Sequence, residues 1–533
     1  MRVNNILVVL FFLAITFTVF AQQPISSVEI DKITEKSMAT FNVPGMAVAV
    51  IKDGKVIHEK GYGVRNMHKP EKVDENTVFA IASNTKAFCG FALGMLVDEE
   101  KISWDDKVID YIPEFRMYDA YTTQAITIRD LLCHRTGLGL GAGDLGIFPD
   151  GADFTIQDII NNLKHLKPAS DFRAKYNYNN QMFIVAGEIV ARVSGMSWFD
   201  FVEERIMKPL EMNSSASDLN RLKDTVNLYT PHAVIDGKLQ VVERYNQPTI
   251  GSAGGINATL HDLTKWVTMQ LNNGKYGNNL EKSLIRAQTH AETWRPQIYT
   301  GGYNIADSPS SGSYNTLFSG YALGFGVSDV KGKFQVSHTG GLPGIVTQIT
   351  MLPEIGLGII VLTNQQSSAA FNSVTATIKD AYLGIKGVDR IAEYSARRSK
   401  SVEDAQKVID AVWAQVEAEQ KRLQGEKPDF DTYTGEYSDL WFGNVDIFVK
   451  DGEMLFVSKR SPKISGVILP YIGNCKVLKF TDRTMEADAL INFEFDFKGN
   501  VSGFKMGWVS PITDFSYDFH NLNFTAVKKN KNP

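Results

Sequence analysis

The sequence predicts an α/β (α+β) domain followed by a small all-β domain. Strand-like runs stand near both ends of residues 24–388, with apolar helical segments between them, so one sheet is expected to pair the first and last strands. Residues 389–427 are charged with a helical pattern, which indicates a linker helix. Residues 428–533 change to short strands separated by turns, which predicts the second domain.

Residues 1–21 have the pattern of a secretory signal peptide. Arg2 supplies a positive start, Ile6 to Phe20 is mostly apolar, and Ala21 ends a small-residue cleavage site. The apolar run is short for a membrane span, which needs about 20 apolar residues, and an uncleaved anchor is the second interpretation. No cysteine follows the run, so we expect no lipoprotein site. We expect export across the inner membrane to a bacterial periplasm, with no membrane span after cleavage.

Four segments of the first domain have readable secondary structure. The run MAVAVIKDGKVIHEKGYG has two β-rich stretches around a Lys-Asp-Gly turn, which predicts a hairpin. Ala87 to Val97 has apolar residues at helical spacing, and FIVAGEIVARVSG is a second apolar helix that ends at Gly195. FQVSHTGGLPGIVTQITMLPEIGLGIIVLTN predicts strands broken by glycine and proline turns.

Composition and charge limit the classes of function. The net charge is −5, with acids and bases mixed throughout, which indicates neither a nucleic-acid groove nor a polybasic membrane patch. Three cysteines are too few for an exported disulfide scaffold. We expect Cys89 and Cys133 to be buried small hydrophobes, with a Cys89–Cys133 bridge as the alternative. Two loops rich in Gly, Ser and Tyr, residues 137–154 and 296–320, are candidates for setting specificity.

A Ser-x-x-Lys pattern opens the first apolar helix. Three such pairs occur, but Ser328–Lys331 and Ser502–Lys505 lie in strand-and-turn stretches beside glycine. At Ser83–Lys86 the two side chains would share one helical face, and burial would lower the lysine pKa enough to make it a proton acceptor. In the structural alternative Ser83 is an N-cap and Lys86 a solvated first-turn residue. The motif alone leaves these two interpretations about even.

Two further segments favour the catalytic interpretation. In KYNYNNQMF, Tyr178 and Asn180 precede the second apolar helix; a tyrosine can relay protons, and an asparagine amide can hold a carbonyl or orient a lysine. In SHTGGLPG, residues 338–341 predict a strand edge that a substrate can approach closely, with a backbone N–H free for an oxyanion. Alone, each segment is typical of a turn or hairpin. Together, the three segments hold the parts of an acyl-transfer site.

Ser-x-x-Lys, Tyr-x-Asn and His-Thr-Gly, in this order, resemble the serine β-lactamase/penicillin-binding-protein superfamily, and most of all its class C β-lactamase, D-alanyl-D-alanine carboxypeptidase and esterase branch. The similarity spans about residues 26–365 and includes GYGVRN, KISWDDKVIDYIPEF, TIRDLLCHRTGL, MKPLEM, GSAGGINATLHDLTKW and YALGFGV. The C-terminal YTGEY and DFSYDFHNLNFTAV resemble a small β domain of unknown function that is often appended to such hydrolases. The resemblance implies a β-lactamase/transpeptidase-like fold, with an antiparallel sheet flanked by helices plus an all-helical part.

The resemblance also implies a role for each matching residue. Ser83 would be the acylated nucleophile at the cleft between the two parts of the fold. Lys86 and Tyr178 would form the general-base system, and which of them takes the proton stays open. The backbone N–H groups of Ser83 and Gly341 would form the oxyanion hole. The substrate-binding positions would be Asn180, His338, Thr339 and Gly340.

Two positions depart from the family pattern. His338 stands where classical β-lactamases have a lysine, whose fixed charge would attract a substrate carboxylate; histidine is mostly neutral near pH 7. This position resembles certain D-peptidases and esterases, and it weakens the case for an antibiotic-degrading enzyme. Ala82 replaces a glycine that is usual before the serine, a small change that we expect to be tolerated.

The resulting hypothesis is an exported serine hydrolase that cleaves an amide or ester through an acyl-enzyme on Ser83. We rank peptide or D-amino-acid amides first, small esters second and β-lactam rings third. The partner is a small-molecule or peptide substrate, and the sequence leaves the oligomeric state open. The alternative is a penicillin-binding or sensor protein that acylates or binds without appreciable turnover. The all-β domain could equally be a partner-binding or wall-binding module.

Other patterns indicate structural roles. Asp105 and Asp106 are expected to cap and tether a helix, and His134 to make a structural hydrogen bond. The nine histidines never fall at ligand spacing with acids or cysteines, so we expect no metal. Neither a G-x-G-x-x-G nor a Walker pattern supports a nucleotide cofactor, and no cofactor is expected. No G-x-S-x-G elbow surrounds Ser83, which argues against an α/β-hydrolase.

Overall fold

The computed structural model describes residues 23–302, 314, 316–426 and 428–527. The predicted signal peptide, residues 1–21, and part of the predicted loop 296–320 lie outside the described residues. The helices of four residues or more are α1 (Ser27–Phe41), α2 (Thr85–Asp98), α3 (Val108–Tyr111), α4 (Ala120–Ala125), α5 (Ile128–Leu131), α6 (Ile156–Asn162), α7 (Gln181–Ser194), α8 (Trp198–Val202), α9 (Gly251–Gly254), α10 (Leu260–Leu271), α11 (Ala287–Thr293), α12 (Ser368–Tyr382) and α13 (Arg390–Arg422).

The strands fall into two groups along the chain. Those of the first domain are β1 (Gly45–Lys52), β2 (Lys55–Gly63), β3 (Val78–Ala80), β4 (His232–Ile235), β5 (Lys238–Val241), β6 (Asn257–Thr259), β7 (Lys275–Tyr276), β8 (Lys282–Ser283), β9 (Ile298–Gly302), β10 (Phe318–Tyr321), β11 (Gly326–Val330), β12 (Lys333–Leu342), β13 (Ile345–Leu352) and β14 (Leu357–Thr363). Those of the second domain are β15 (Gly435–Asp439), β16 (Gly443–Lys450), β17 (Glu453–Ser458), β18 (Ser465–Ile472), β19 (Cys475–Phe480), β20 (Ala489–Phe495), β21 (Val501–Trp508) and β22 (Asn523–Ala526).

A central antiparallel sheet organises the first domain. Its eight strands have the order β2-β1-β14-β13-β12-β11-β10-β9. The predicted hairpin is confirmed as β1–β2. The predicted pairing of first and last strands is confirmed as well, since β1 pairs with β14 and places Val48 opposite Val361. Chain segments more than 300 residues apart are therefore neighbours in one sheet.

Helices cover both faces of this sheet. Because strand side chains alternate between faces, Val48 and Val50 of β1 pack into one apolar cluster with α1 and α12, while Ala47 and Ala49 belong to a larger cluster on the other face. Helix α2 lies in the larger cluster, and its residues from Thr85 to Leu96 are all buried. A helix that is buried all round is a core helix, and it gives the site a rigid foundation.

The two predicted helices are confirmed. Helix α2 covers the apolar run that the sequence identifies, and α7 ends at Gly195, whose φ of 71° is the left-handed conformation that favours glycine at a helix end. In the described residues no single helix has both the length and the apolar character that a membrane span requires. One pair bent by 78°, Gln181–Ser194 with Trp198–Met207, meets that requirement by length and composition only.

The second domain is a closed barrel of eight antiparallel strands, β15 to β22 in sequence order. An eight-stranded barrel has an interior just wide enough for side chains or for one small ligand. Here the interior holds packed aromatic rings: Phe504 lies 4.6 Å from Phe524 and 5.4 Å from Phe493 between ring centroids. The predicted fold class, an antiparallel sheet with helices followed by an all-β domain, is confirmed.

Candidate active site

Ser83 lies at the start of α2, facing a cleft. A short 3-10 turn, Ala82–Asn84, precedes the helix, and Ser83 is its half-buried middle residue. Ala82 has a φ of 48°, a left-handed conformation that costs an alanine about 1 kcal/mol and that a glycine adopts freely. The glycine that is usual at this position in the family would remove that cost. Ala82 is fully buried in the core.

Lys86 is buried directly behind Ser83. Its side chain has no exposed surface, and its Nζ donates to Ser83 Oγ at 3.0 Å, to Asn180 Oδ1 at 2.7 Å and to the Ala253 carbonyl at 2.8 Å. Burial lowers the pKa of Lys86 to about 7, although the charge of Asp144 raises it. The structural alternative for this pair is wrong, because Asn84 occupies the N-cap of α2 and the lysine is not solvated. The amine can therefore exchange a proton with the serine near neutral pH.

Tyr178 also lies next to the lysine. Its ring centroid is 4.8 Å from Lys86 Nζ. Burial raises the pKa of the Tyr178 hydroxyl well above 10, and a hydrogen bond with Ser83 only partly offsets this effect. Tyr178 is thus a neutral phenol at pH 7, able to donate a hydrogen bond to the serine or pass on a proton.

Asn180 holds the lysine in place. Its Oδ1 accepts from Lys86, and its Nδ2 donates to Asp144 Oδ2 at 2.7 Å. Asp144 also accepts from Gln181 Nε2 at 3.2 Å, and burial raises the pKa of Asp144 to about 7. Asn180 borders the cleft, but its amide is already bonded on both sides, which favours the lysine-orienting role.

The third motif lies on an open strand edge beside Ser83. Strand β12 pairs with β13 up to Leu342, but its pairing with β11 stops at Ser337. Among the strands that the structure describes, none pairs with this edge of residues 338–342, which borders the cleft and where Thr339 and Gly341 are exposed. This is the geometry expected for a substrate that lies along the strand.

Gly340 allows β12 to approach the serine turn. A Cβ at this position would lie 2.2 Å from the Ile81 carbonyl oxygen, which is too close for any side chain, and 3.0 Å from Ala82 Cβ, which is a tight contact. From the neighbouring strand, Thr347 Oγ1 donates to the same Ile81 carbonyl at 3.0 Å and accepts from Asn84 Nδ2 at 2.9 Å. The close approach fixes the distance between Ser83 and the strand edge.

His338 is a neutral side chain in this structure. Its Nδ1 is 2.6 Å from the Thr339 carbonyl oxygen, which can only accept, so Nδ1 carries the proton. Its Nε2 then accepts from the Tyr321 hydroxyl at 2.7 Å. Burial, helped by the charge of Lys86, lowers the pKa of His338 to about 3. The strand edge therefore offers no positive charge where classical family members have a lysine.

The structure places all the predicted site residues at one cleft of about 830 Å³. Those bordering it are Ser83, Tyr178, Asn180, His338, Thr339, Gly340 and Gly341. Lys86 lies immediately beneath them. The sequence analysis missed Asp144 and Tyr321 as partners of these residues. Asp144 lies in the predicted specificity loop 137–154, and Tyr321 lies in YALGFGV. The sequence pointed to both stretches but indicated no role for either side chain.

The remaining candidate residues have structural roles. Asp106 accepts from the Ser103 backbone at 2.7 Å and from the Tyr111 hydroxyl at 2.6 Å, and Asp105 pairs with Arg129. His134 Nδ1 accepts from the Asn179 backbone at 3.0 Å, the structural hydrogen bond that was expected. Cys89 and Cys133 are buried and free, so the alternative of a bridge between them is wrong.

The other two Ser-x-x-Lys pairs lie in strand-and-turn stretches, as expected. Ser328 belongs to β11, with Lys331 in the turn that follows, and Ser502 and Lys505 both belong to β21. Residues three apart on a strand point to opposite faces, so Ser502 and Lys505 cannot meet as Ser83 and Lys86 do. Within the part of the chain that the structure describes, no cluster of three or more histidine, cysteine or acidic residues could hold a metal ion.

Two protein-family models match separate parts of the chain. The family model described as "Beta-lactamase" matches residues 30–383. A model described as "Domain of unknown function (DUF3471)" matches residues 419–526. The first match includes the serine, lysine, tyrosine and histidine segments of the cleft.

Curated relatives match about two thirds of this chain. "Unguisins hydrolase ungD" of Aspergillus violaceofuscus is 28% identical over 67% of this chain and 64% of its own length. "Unguisins hydrolase ungD'" of Aspergillus campestris is 27% identical over 64% of this chain and 62% of its own length. "Protein flp" of Staphylococcus aureus is 28% identical over 64% of each chain. The chain thus spans less than two thirds of the length of these relatives.

Two solved structures have the same fold. A penicillin-binding protein homologue from Pyrococcus abyssi, described as octameric, aligns over 94% of this chain and 100% of its own, with a TM-score of 0.58 and 18% identity. A penicillin-binding protein from Bacillus halodurans aligns over 65% of this chain and 98% of its own, with a TM-score of 0.53 and 21% identity.

Proposed function

Because the chain belongs to the beta-lactamase family, we propose that it is a serine hydrolase that cleaves an amide or ester through an acyl-enzyme on Ser83. One observation carries the proposal: the fully buried Lys86 amine lies 3.0 Å from Ser83 Oγ, beside an open strand edge. Burying an amine is costly, and burial gives this one a pKa of about 7 within hydrogen-bond distance of a serine that faces the cleft. As a proton acceptor for the serine, it activates the nucleophile.

The proposed reaction has two halves. Neutral Lys86 takes the Ser83 hydroxyl proton as Oγ attacks the substrate carbonyl, and the backbone N–H groups of Ser83 and Gly341 stabilise the oxyanion. The proton then passes to the leaving amine or alcohol, with the Tyr178 hydroxyl as the relay. Water attacks the ester on Ser83 in the second half and releases the acid. Of the two candidate bases we assign proton acceptance to Lys86, because burial lowers its pKa and raises that of Tyr178.

The uncharged strand edge affects which class of substrate the cleft favours. A β-lactam antibiotic or a peptide with a free C-terminus carries a carboxylate, and an uncharged His338 gives it no ion pair. We therefore keep peptide or D-amino-acid amides first, small esters second and β-lactams third. Relatives named as hydrolases support turnover in preference to a silent sensor. Export to the periplasm, proposed from residues 1–21, fits a substrate from the cell envelope.

Active-site labelling tests the reaction. Protein lacking residues 1–21 is treated with a fluorophosphonate or a fluorescent penicillin, and adducts are mapped by mass spectrometry. We expect a fluorophosphonate adduct on Ser83, turnover of p-nitrophenyl esters or D-alanine p-nitroanilide, and loss of both in Ser83→Ala. Ser328→Ala removes the serine of another Ser-x-x-Lys pair and is the matched control, with full labelling expected. Undiminished turnover in Ser83→Ala would overturn the mechanism. A stable penicillin adduct without turnover would support the sensor alternative.

The role of His338 in the response to a substrate carboxylate can be tested separately. His338→Lys places a cation on the strand edge, and His338→Gln removes the imidazole without adding charge. We expect only the lysine variant to raise kcat/KM for an acyl-D-Ala-D-Ala acid relative to its C-terminal amide, by about tenfold, the effect of one partly screened ion pair. Equal ratios in the wild type and both variants would remove His338 from substrate selection.

A further inference from the structure

We propose that the second domain supplies one wall of the substrate cleft, and that Phe515 in this wall limits the size of substrates that can reach Ser83. The inference rests on the proposed function, since it concerns the selectivity of the same cleft. The wall is the segment Ser510–Asp518, called here the barrel loop. It connects β21 to the 3-10 turn Phe519–Asn521 that leads into β22.

The barrel loop borders the same cavity as the serine. Six consecutive residues, Ile512 to Tyr517, line the cleft together with Ser83 and Tyr178. A cavity of about 830 Å³ is in the range of small-molecule sites rather than of open grooves for polymers. A second segment of the barrel, Thr484 to Glu486, borders the same cleft.

Within the barrel loop, Phe515 contacts Tyr178, a residue of the proposed proton-transfer system. Its half-buried ring packs edge to face against Tyr178, with 5.6 Å between ring centroids and an interplanar angle of 73°. The backbone oxygen of Phe515 packs against Gly141. A Cβ on Gly141 would lie only 2.5 Å from this oxygen. Gly141, with a φ of 68°, thus lets the barrel loop approach the first domain this closely.

The loop is anchored, so its wall has a defined position. Ser516 Oγ donates to Asp144 Oδ2 at 3.1 Å, and the Gly143 backbone donates to Asp518 Oδ2 at 2.7 Å. Asp144 and Asp518 are both fully buried, and Asp144 is the carboxyl that also holds Asn180. Asp144 therefore hydrogen-bonds both to the barrel loop, through Ser516, and to Asn180, the residue that holds Lys86.

Contacts outside the cleft hold the two domains together. Arg460 of the barrel pairs with Asp153 at 2.6 Å and Asp158 at 3.0 Å, and its guanidinium lies 3.9 Å from the centroid of the Phe154 ring. Lys463 pairs with Asp150 at 3.0 Å. Since rings fill the barrel interior, we assign the contribution of this domain to its rim rather than to a ligand inside it.

The consequence is selection for compact substrates. A dipeptide amide or a short-chain ester fits between the barrel loop and the strand edge of β12, whereas a long acyl chain or a bulky leaving group meets the Phe515 ring. Differences of a few methylenes in a confined apolar site change kcat/KM by roughly 10- to 200-fold. Substitutions at Phe515 should therefore change kcat/KM by a factor that can be measured.

The test compares substrates of different size in three variants. For each we measure kcat/KM for p-nitrophenyl octanoate relative to acetate, and for 1-naphthyl acetate relative to phenyl acetate. We expect Phe515→Ala to raise at least one of these ratios about tenfold and Phe515→Trp to lower the same ratio. Phe497→Ala removes a fully exposed ring elsewhere on the barrel and is the matched control, expected to leave both ratios within about twofold.

Fluorophosphonate labelling of Ser83 in each variant separates the possible failures. If Ser83 of the wild type is not labelled, the proposed function fails before selectivity is at issue. If Ser83 is labelled and neither ratio changes in Phe515→Ala and Phe515→Trp, the wall proposal is overturned while the serine mechanism stands. If Phe515→Ala does not fold, a lowered ratio in Phe515→Trp still supports the proposal, and unchanged ratios in that variant reject it.

Discussion

At the scale of single residues, the site depends on two buried groups with shifted pKa values. Lys86 and Asp144 do not touch each other, because Asn180 lies between them and hydrogen-bonds to both. Burial penalises the charge of each group, and it brings the pKa of both to about 7. Enzymes commonly use burial in this way to obtain a base that works at neutral pH.

Replacing the lysine tests its chemical role. We expect Lys86→Met to lower kcat/KM by about 10²- to 10⁴-fold, the usual contribution of a general base, without unfolding the protein. Lys379 offers a matched control, because it is also buried, with its pKa lowered to about 8, and it donates to Gln335 at 2.7 Å away from the cleft. Lys379→Met should keep kcat/KM within about twofold. Steady-state ester hydrolysis measures both, and equal losses in the two variants would contradict a specific role for Lys86.

The pH profile tests the electrostatics. Because only neutral Lys86 can accept a proton, kcat/KM should rise with pH through a limb near 7. Ionised Asp144 raises the pKa of Lys86, so Asp144→Asn should move this limb to lower pH. The new amide can still accept from Asn180 and Ser516, and Gln181 can turn its own amide to match. A limb that stays in place, or moves to higher pH, would show that another group controls it.

At the scale of elements, local patterns predicted more than distant contacts. The β1–β2 hairpin, the apolar helices α2 and α7, and the glycine that ends α7 follow from signals within about 20 residues of sequence. The cluster of Ser83, Tyr178 and His338 could be expected because their motifs have a recognisable order. The close packing of β12 on the serine turn could not be expected from the sequence. It depends on distances between residues that are far apart along the chain, such as Gly340 and Ile81.

Gly340 is the sharpest example of such packing. An added methyl group would meet the Ile81 carbonyl at 2.2 Å, a backbone atom that cannot rotate away. We expect Gly340→Ala to lower the free energy of unfolding by about 1–3 kcal/mol, the range for overpacked core positions. Gly341→Ala is the control for stability, because its Cβ would contact only Val346 Cγ1, at 3.9 Å. Urea denaturation of both variants should separate them, and similar unfolding midpoints would contradict a tight contact at Gly340.

At the scale of the whole molecule, the two domains share one site. From its sequence, the all-β domain was interpreted as an appended module that could bind a partner or the cell wall, and DFSYDFHNLNFTAV indicated no contact with the cleft. Its contact with the first domain joins Ser516 to Asp144, which are 372 residues apart. No local pattern encodes such a pairing. The structure changes the interpretation of the C-terminal domain from an appendage to a part of the cleft.

The interface should also contribute to stability. Arg460→Ala removes two charged contacts and the packing on Phe154, so we expect the free energy of unfolding to fall by about 1–2 kcal/mol. Lys459 is the neighbouring control, since it pairs with Glu436 and Asp446 on the barrel itself. Lys459→Ala should change stability by less than about 0.5 kcal/mol. Urea denaturation followed by tryptophan fluorescence compares the two, and equal effects would contradict a stabilising interface.

The separation of Ser516 from Asp144 along the chain has a consequence for biosynthesis. At roughly 5 to 20 residues per second, the 372 residues between them take about 20 to 70 s to translate. During that interval a nascent chain already carries the nucleophile and its lysine but has neither the wall of the cleft nor the hydroxyl that caps Asp144. On the proposed function, the protein therefore acquires its selectivity last, because the barrel loop is the part of the cleft that is synthesised last.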